Sequence, residues 1–178
     1  MATNRPAVPK LVFLVGFMGA GKTSVGRALG LRLGWGFLDL DDRVEEREGQ
    51  TVGQIFENLG ENRFREAETA ALQELLIEPE SEPLVVALGG GTFTRQRNID
   101  MITGAGFPII FLDGEAAELF ERCEQEQRNR PLKRDAQQFQ ELYQKRRSSY
   151  LRANYRIDTS GKKIETIVAE VACCLGLP

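Results

Sequence analysis

Residues 11–23 of the chain read LVFLVGFMGAGKT, and this stretch decides the fold class. The apolar residues 11–15 predict a buried β-strand, and residues 16–23 match the phosphate-binding pattern G-x-x-x-x-G-K-[ST]. Successive backbone N–H groups in such a turn converge on an anion, and the N-terminus of the following helix adds partial positive charge. We therefore predict a strand, a turn and a helix over residues 22–33 that together bind Mg-ATP.

The chemistry of phosphoryl transfer assigns roles within this turn. Lys22 would bridge the β- and γ-phosphates of ATP, and Thr23 would place its hydroxyl on Mg²⁺. A glycine-rich turn with a chance lysine is the alternative, and the strand before it and the helix after it argue against that reading. The predicted nucleotide-binding residues of the turn are Gly19, Ala20, Gly21, Lys22, Thr23 and Ser24.

Apolar runs alternate with helical patterns along the rest of the chain. This alternation predicts an α/β fold, a three-layer α/β/α domain with a central five-stranded parallel sheet. The further strands are predicted at residues 37–40, 84–88, 108–112 and 155–157. Helical patterns cover residues 42–76 with breaks at Gly49 and Gly60, then 115–127, 135–152 and 164–175. Thr51 with Gln54 predicts a capping box, and Asp135 with Gln138 predicts a second helix start.

Composition limits the possible functions. The chain has 178 residues, 42% of them hydrophobic and 28% charged, and we expect one domain over residues 1–178. A net charge of −3 gives no general attraction to nucleic acid or to a membrane. Histidine is absent, which excludes Ser-His and Cys-His nucleophiles and histidine zinc sites. Without a long apolar run or a C-x-x-C spacing, a cytoplasmic monomer with packed cysteines is the expectation.

Acidic residues follow two of the predicted strands. Asp39 and Asp41 stand two apart at a strand end, and the period of two points both side chains the same way. In an open α/β sheet the ligand-binding crevice lies at the carboxyl ends of the strands. One of these carboxylates could therefore hold Mg²⁺, and the other could contact an acceptor hydroxyl. Solvating the strand end or capping the next helix is the alternative. Asp113 competes for the metal; we favour Asp39, because Asp113 could simply cap a helix.

The ordered combination of motifs resembles shikimate kinase. The motifs are GFMGAGKT, FLDLD, GENRFREAE, LGGGT and RNRPL, in that order, and the resemblance covers nearly the whole chain. It implies a P-loop NTPase fold of the nucleoside monophosphate kinase type, with a substrate-binding region at about residues 40–76 and a mobile lid at about 124–135. The implied reaction is ATP-dependent phosphorylation of the 3-hydroxyl of shikimate, a step towards chorismate and the aromatic amino acids.

The resemblance also implies roles on the acceptor side. Asp39 would position Mg²⁺ through water, while Asp41 would bind the shikimate hydroxyls and either accept a proton or only orient the attacking oxygen. Arg65 and Arg146 would bind the substrate carboxylate, as paired guanidinium groups can do bidentately. Backbone N–H groups of Gly89, Gly90 and Gly91 would face the ring substituents. A solvated helix face for the arginines and a flexible turn for the glycines are the alternatives from the residues alone.

On the nucleotide side the resemblance implies a lid arginine and an adenine site. Arg130 would move onto the phosphates, and adenine would lie against Arg122 or Arg130 and the loop 158–163, which contains Lys163. The chain departs from the family pattern at Lys133, where an apolar residue is common, and at Cys123, where a second basic residue is usual. The predicted catalytic residues are Lys22, Asp41 and Arg130.

Three other functions remain to be weighed against this one. A kinase of another small polyol or carboxylate, such as gluconate or quinate, would share the phosphate-binding turn. A nucleotide-binding regulatory module without turnover is disfavoured by the retained Lys22, Asp41, Arg65, Arg130 and Arg146. Nucleic-acid binding finds little support in an acidic chain without a long basic stripe.

Overall fold

The computed structural model describes residues 9–77, 81–126 and 135–178 as one α/β unit. Its strands are β1 Leu11–Val15, β2 Gly36–Asp39, β3 Leu84–Ala87, β4 Ile109–Asp113 and β5 Tyr155–Asp158. Its helices are α1 Lys22–Leu33, α2 Leu40–Glu48, α3 Val52–Ile77, α4 Gln96–Ala105, α5 Ala116–Glu126, α6 Ala136–Tyr150 and α7 Ile164–Cys174. A short 3₁₀ turn, Thr92–Thr94, precedes α4.

The five strands form one parallel sheet in the order β2-β3-β1-β4-β5. This confirms the predicted five-stranded parallel sheet. Strand β1 lies at the centre, and the chain leaves it towards β2 but later returns past it to β4, so the direction of winding reverses beside β1. In such sheets the ligand crevice opens at the carboxyl ends of the strands where the winding reverses. The phosphate-binding turn follows β1 at that point.

Helices cover both faces of the sheet. Right-handed crossovers place α1 on one face and the helices of the later crossovers on the other. Contacts agree with this layering, since α1 packs against α7, while α3 packs against α4 and α5 against α6. All residues of β1, β3 and β4 are buried, as expected for inner strands of a sheet covered on both sides.

Several predicted local features are confirmed. Helix α1 ends before Gly34, and α3 is interrupted at Gly60, which has φ 80° and ψ 171°. The capping box also forms, because the backbone N–H of Thr51 donates to Gln54 Oε1 at 2.9 Å and that of Gln54 donates to Thr51 Oγ1 at 3.2 Å. Asp135 caps α6, although its side chain accepts from the N–H of Gln137 and not through a pair with Gln138.

Other boundaries were predicted wrongly. The pattern predicts no element for residues 92–107, where α4 lies, because its buried stripe consists only of Asn98, Ile99 and Ile102. Strand β2 ends at Asp39 and α2 begins at Leu40, whereas the pattern extended the strand to residue 40 and began the helix at 42. Within the described residues, no helix is both long and apolar enough to cross a membrane.

Candidate active site

The phosphate-binding turn forms a cradle between β1 and α1. Gly19 and Gly21 have φ values of 76° and 81°. A Cβ at Gly19 would lie 2.5 Å from the backbone oxygen of Leu119, so this position requires both the left-handed backbone and the absence of a side chain. No side chain of the described residues caps α1 at Gly21, which leaves the first N–H groups of the helix for an anion.

Lys22 is held inside this cradle. Its Nζ donates to the backbone oxygens of Gly16 at 3.0 Å and Phe17 at 2.9 Å. Burial lowers the pKa of Lys22 to about 8, against the opposing attraction of the nearby carboxylates Asp39 and Asp41. An amine with that pKa still carries its proton in most molecules at neutral pH, so it can offer positive charge to a phosphate.

Asp39 and Asp41 do not share a strand. Asp39 is the N-cap of α2, and Asp41 lies in the first turn of that helix, so the predicted alternation along a strand is wrong. Asp39 uses both oxygens: Oδ1 accepts from the N–H of Asp41 at 3.2 Å, and Oδ2 accepts from Thr23 Oγ1 at 2.9 Å. The two carboxylates still lie at the carboxyl end of β2, because the cap places the helix start against the phosphate-binding turn.

Asp41 has the environment expected of a proton acceptor. Burial raises its pKa to about 6, and the neighbouring carboxylates Asp39 and Glu68 add to the effect. Its Oδ1 is buried and accepts no hydrogen bond from the described residues. A buried carboxylate oxygen without a donor is costly, and a substrate hydroxyl at this position would supply the missing hydrogen bond.

The three glycines after β3 each approach one side chain predicted to bind the acceptor. A Cβ at Gly89 would lie 2.9 Å from Asp41 Oδ1, and one at Gly90 would lie 3.5 Å from Arg146 Nη1. At Gly91 it would overlap the guanidinium of Arg65, 2.6 Å from Cζ. The structure therefore brings Asp41, Arg65 and Arg146 together around one short turn. This turn also faces the phosphate-binding turn, since a Cβ at Gly90 would lie 3.8 Å from the backbone N atom of Met18.

Arg65 is oriented by a residue that the motifs did not single out. Its Nη1 donates to Glu68 Oε2 at 2.6 Å, and Glu68 is fully buried. The other oxygen of Glu68 accepts from Thr92 Oγ1 at 2.5 Å, which ties α3 to the turn after the glycines. Arg65 also donates to the exposed Glu61. The spacing Arg65-x-x-Glu68 on a helix was a usable signal, because residues three apart lie on the same face.

Arg146 lies above the phosphate-binding turn. Its Cζ is 5.8 Å from the centroid of the Phe17 ring, and this cation–π contact leaves N–H groups of the guanidinium facing Gly90. Tyr150, one helical turn further along α6, is fully buried and donates from its hydroxyl to the backbone oxygen of Gly90. Sequence reasoning missed Tyr150, because a tyrosine on a helix is more often a core residue than a partner of a distant loop.

A cavity of about 620 Å³ opens beside the phosphate-binding turn, and its lining contains six of the residues predicted to bind the nucleotide but not Lys22 or Thr23. Its lining includes Gly19, Ala20, Gly21, Ser24, Arg122 and Lys163, together with Lys162, which lies in the predicted loop 158–163 but was not singled out as a site residue. Arg122 Nη1 donates to the backbone oxygen of Gly19 at 3.4 Å. Cys123 is buried beside Gly19, and Arg122, the preceding residue of α5, lines the cavity.

Asp113 does not cap a helix and does not lie open to a metal. It is the last residue of β4 and accepts from Tyr143 Oη, Arg147 Nη2 and Arg156 Nε, each at 2.7 Å. Burial disfavours its charge, but the hydrogen bonds from Arg147 and Tyr143 outweigh burial and lower the pKa of Asp113. Because both oxygens of Asp113 already accept hydrogen bonds, Asp113 is a poorer candidate metal ligand than Asp39.

The oxygens near Thr23 suit Mg²⁺. Thr23 Oγ1 and Asp39 Oδ2 are 2.9 Å apart at the edge of the cradle. Mg²⁺ is usually bound by one or two carboxylates and completes its shell with water and phosphate oxygens, so no protein cage is required. Over residues 9–77, 81–126 and 135–178 there is no group of three or more cysteine or acidic side chains that could hold a metal by themselves.

The predicted lid residues Arg130 and Lys133 lie outside the described residues.

Comparison with known proteins gives consistent results. The protein-family model described as shikimate kinase matches residues 18–175. A shikimate kinase of Geobacter sulfurreducens is 38% identical over 170 residues, which cover 94% of this chain and 91% of that protein. Another, of Persephonella marina, is 37% identical over 160 residues, covering 90% of this chain and 95% of that protein.

Solved structures show the same relationship. Shikimate kinase from Acinetobacter baumannii, solved in complex with shikimate, has a TM-score of 0.83 and 33% identity, covering 96% of this chain and 94% of its own. The enzyme from Aquifex aeolicus has a TM-score of 0.81 and 31% identity, covering 93% and 96%. A gluconokinase from Sinorhizobium meliloti has a TM-score of 0.66 and 20% identity, covering 95% of this chain and 93% of its own. At that identity the likeness shows only that the two proteins share a fold.

Proposed function

The chain belongs to the shikimate kinase family, and from that premise we propose that it transfers the γ-phosphoryl group of ATP to the 3-hydroxyl of shikimate. The products are 3-phosphoshikimate and ADP, on the route to chorismate and the aromatic amino acids. Phosphoryl transfer of this kind needs little covalent chemistry from the protein, so catalysis depends on positioning and on compensation of charge.

One observation carries the proposal. Gly89, Gly90 and Gly91 bring a proton-accepting carboxylate, Asp41, and two guanidinium groups, Arg146 and Arg65, to a single turn beside the phosphate-binding turn. A small acid with ring hydroxyls offers the complementary groups, namely a carboxylate for the arginines and hydroxyls for Asp41 and the glycine N–H groups. The solved structure of the Acinetobacter baumannii relative is a complex with shikimate, which supports this choice of acid.

Asp41 is the proposed partner of the attacking hydroxyl. Its unpaired Oδ1 would accept the hydrogen bond of that hydroxyl, orient the oxygen towards the γ-phosphorus and take its proton. A pKa of about 6 leaves the carboxylate mostly ionised at neutral pH, yet basic enough to receive a proton when the hydroxyl oxygen bonds to phosphorus.

Lys22 and the N–H groups of residues 19–23 would hold the β- and γ-phosphates. Lys22 would exchange its hydrogen bonds to the backbone oxygens of Gly16 and Phe17 for phosphate oxygens, and so stay close to the charge that develops during transfer. Thr23 and Asp39 would hold Mg²⁺, which when bound neutralises phosphate charge. Adenine would lie in the cavity near Arg122 and Lys163.

The proposal also covers the lid, the domain organisation and the cellular setting of the reaction. Arg130 would reach the phosphates from a lid at about residues 124–135. The substrate-binding region would cover about residues 40–76, and both would belong to one domain of residues 1–178. We place the reaction in the cytoplasm, where ATP is available, and assign it to a monomer that needs neither nucleic acid nor membrane.

A coupled assay of ADP release tests the proposal directly. Purified protein is given Mg-ATP with shikimate, quinate or gluconate, and the phosphorylated product is identified by mass and by NMR of the ring protons. We expect a kcat/KM for shikimate at least about 100-fold above the others, because an acceptor that leaves Asp41 or an arginine unpaired costs several kcal/mol. Preference for quinate or gluconate, or ADP release that no acceptor stimulates, would reject it.

A further inference from the structure

Helix α6 connects two groups of contacts that lie on adjacent faces of the helix. Tyr143 and Arg147, one turn apart, reach the carboxylate of Asp113 at the end of β4. Arg146 and Tyr150, again one turn apart, reach Gly90. The residues that contact Asp113 and those that contact the acceptor side therefore alternate along about the last two turns of the same hydrogen-bonded helix, so a movement of the helix displaces both groups.

The contact at Asp113 is strong enough to fix the helix. The Asp113 side chain is 5% exposed and accepts hydrogen bonds from two arginines and a tyrosine, of which Arg147 Nη2 and Arg156 Nε share the oxygen Oδ2. Arg156 comes from the neighbouring strand β5, so a single carboxylate joins β4, β5 and α6. Hydrogen bonds between ionised partners are roughly twice as strong as neutral ones, and burial from water preserves their strength.

The position of Arg146 depends on that contact. Arg146 and Arg147 are consecutive, so a helix rotation that withdraws Arg147 from Asp113 turns Arg146 away from Gly90 by the same angle. Phe17 of the phosphate-binding turn packs on Tyr143 with ring centroids 5.5 Å apart and lies under the guanidinium of Arg146. Tyr143 thus contacts both Asp113 and the turn against which Arg146 is aligned.

We propose that Asp113 is a positioning residue for phosphoryl transfer, which fixes the rotation and height of α6 and so holds Arg146 beside Gly90 to bind the acceptor's carboxylate. This role rests on the proposed function, in which Arg146 binds that carboxylate. Asp113 touches neither substrate and acts through Tyr143 and Arg147. Its lowered pKa keeps it ionised through the neutral range, so the contact persists under working conditions.

The first test is Asp113→Asn, which keeps the volume of the side chain and removes its charge. We expect the KM for shikimate to rise about 5- to 20-fold, because displacement of a binding group by about 1 Å can cost up to 100-fold. The KM for ATP should change less than about twofold, since Arg146 and Tyr143 contact the cradle at the ring of Phe17, whereas the groups predicted to bind phosphate belong to residues 19–24. Asp100→Asn is the matched control: Asp100 is 61% exposed, forms a loose ion pair with Arg152 at 3.9 Å, and accepts from Gln96 Nε2 of its own helix at 2.6 Å.

A purely structural role predicts a different result. Loss of folded protein lowers the apparent kcat through the active fraction and leaves both KM values unchanged, and that outcome would overturn the proposal. Tyr143→Phe is the milder variant if Asp113→Asn does not fold. It retains the ring contact with Phe17 and removes only the hydroxyl, which lies 2.7 Å from Asp113 Oδ1 and 2.9 Å from the backbone oxygen of Gly114, so a shikimate KM raised about two- to fivefold is expected.

A double-mutant cycle with Arg146→Ala separates this inference from the proposed function. If Asp113 acts through Arg146, Asp113→Asn adds no further increase of the shikimate KM in the Arg146→Ala background. If Arg146→Ala raises that KM but Asp113→Asn does not, the role of Asp113 is rejected and the proposed function stands. If Arg146→Ala itself leaves the shikimate KM unchanged, the proposed binding of the carboxylate by Arg146 fails, whatever Asp113→Asn does.

Discussion

The nucleotide side and the acceptor side of this site are built in opposite ways. On the nucleotide side, residues 16–24 are contiguous, and the groups that would contact phosphate are chiefly backbone N–H groups shaped by glycines. The acceptor side takes Asp41, Arg65 and Arg146 from three helices and residues 89–91 from a strand end, and other side chains hold them in place. The first depends on local backbone conformation, and the second depends on how α2, α3 and α6 pack.

This contrast predicts that variants on the two sides affect different kinetic constants. A variant of the cradle should reduce the rate of phosphoryl transfer, whereas a variant of the arginines or of the glycine turn should weaken shikimate binding and leave ATP binding nearly intact. A variant that changes both KM values equally would show that the two sides are not separable.

The largest effect is expected for Lys22→Ala. Removal of the buried ammonium should lower kcat by about 1,000-fold or more, because a preorganised positive group at the transferring phosphate is worth several kcal/mol in a site that excludes water. Steady-state assays at saturating shikimate measure it. Lys10→Ala is the control, since Lys10 is exposed at the other end of β1. A kcat within tenfold of the parent protein would contradict the role of Lys22.

Asp41→Asn should reduce activity and increase stability at the same time. We expect kcat to fall by about 100- to 10,000-fold, the usual contribution of a general base. The pKa of Asp41 is raised from 3.8 to about 6, so the folded state is disfavoured by its ionisation above pH 6 and not below pH 4. An asparagine cannot ionise, and Tm at pH 7 should therefore rise by about 2–6 °C.

Measurement of Tm against pH provides the internal check on Asp41→Asn. The gain in Tm should shrink as pH falls from about 6 towards 4, and it should disappear only below the ordinary value of 3.8, where the parent carboxylate is protonated in both states. Asp100→Asn should show no such pH-dependent gain, because Asp100 is exposed. A stability gain that is equal at pH 4 and pH 7 would refute the assignment of the raised pKa.

Arg65→Ala tests the acceptor side through a residue held by Glu68. The KM for shikimate should rise about 10- to 100-fold, the cost of losing a charged hydrogen bond, while the KM for ATP stays within about twofold. Arg63→Ala, two residues away, removes a 2.8 Å ion pair with Glu48 in which the Arg63 side chain is 44% exposed. That control should leave both KM values unchanged. An equal rise of the shikimate KM in Arg63→Ala would show that the effect comes from a disturbance of α3 as a whole and not from the loss of Arg65.

The smallest effect is expected for Gly91→Ala. Gly91 has φ −100°, which alanine tolerates, so the variant acts only through its methyl group, which would displace the guanidinium of Arg65. A shikimate KM raised about three- to tenfold is expected from such a displacement. Gly104→Ala, with open space around its Cβ inside α4, should instead stabilise the fold by about 0.5–1 kcal/mol without a kinetic change. Equal kinetics in the two variants would contradict the glycine–arginine contact.

The predicted elements failed where the local pattern was weak or where two structures compete for the same residues. Helix α4 was missed because its short buried stripe includes the polar Asn98, which donates to the backbone oxygen of Thr92. The end of β2 was misplaced because Asp39 serves both as the last strand residue and as a helix cap, and only the observed bond from the N–H of Asp41 separates the two possibilities. Glu68, Tyr150 and Asp113 acquire their importance from partners 24 to 60 residues away.

By itself, the sequence determined the phosphate-binding turn, the parallel five-stranded sheet and the order of the motifs, because each follows from residues that are neighbours along the chain. Tertiary structure alone decided which acid lies beside Thr23, what Asp113 binds, and that three successive glycines meet Asp41, Arg146 and Arg65. Such pairings depend on the register of strands and the rotation of packed helices, which arise from the summed burial of the whole core and from no single segment.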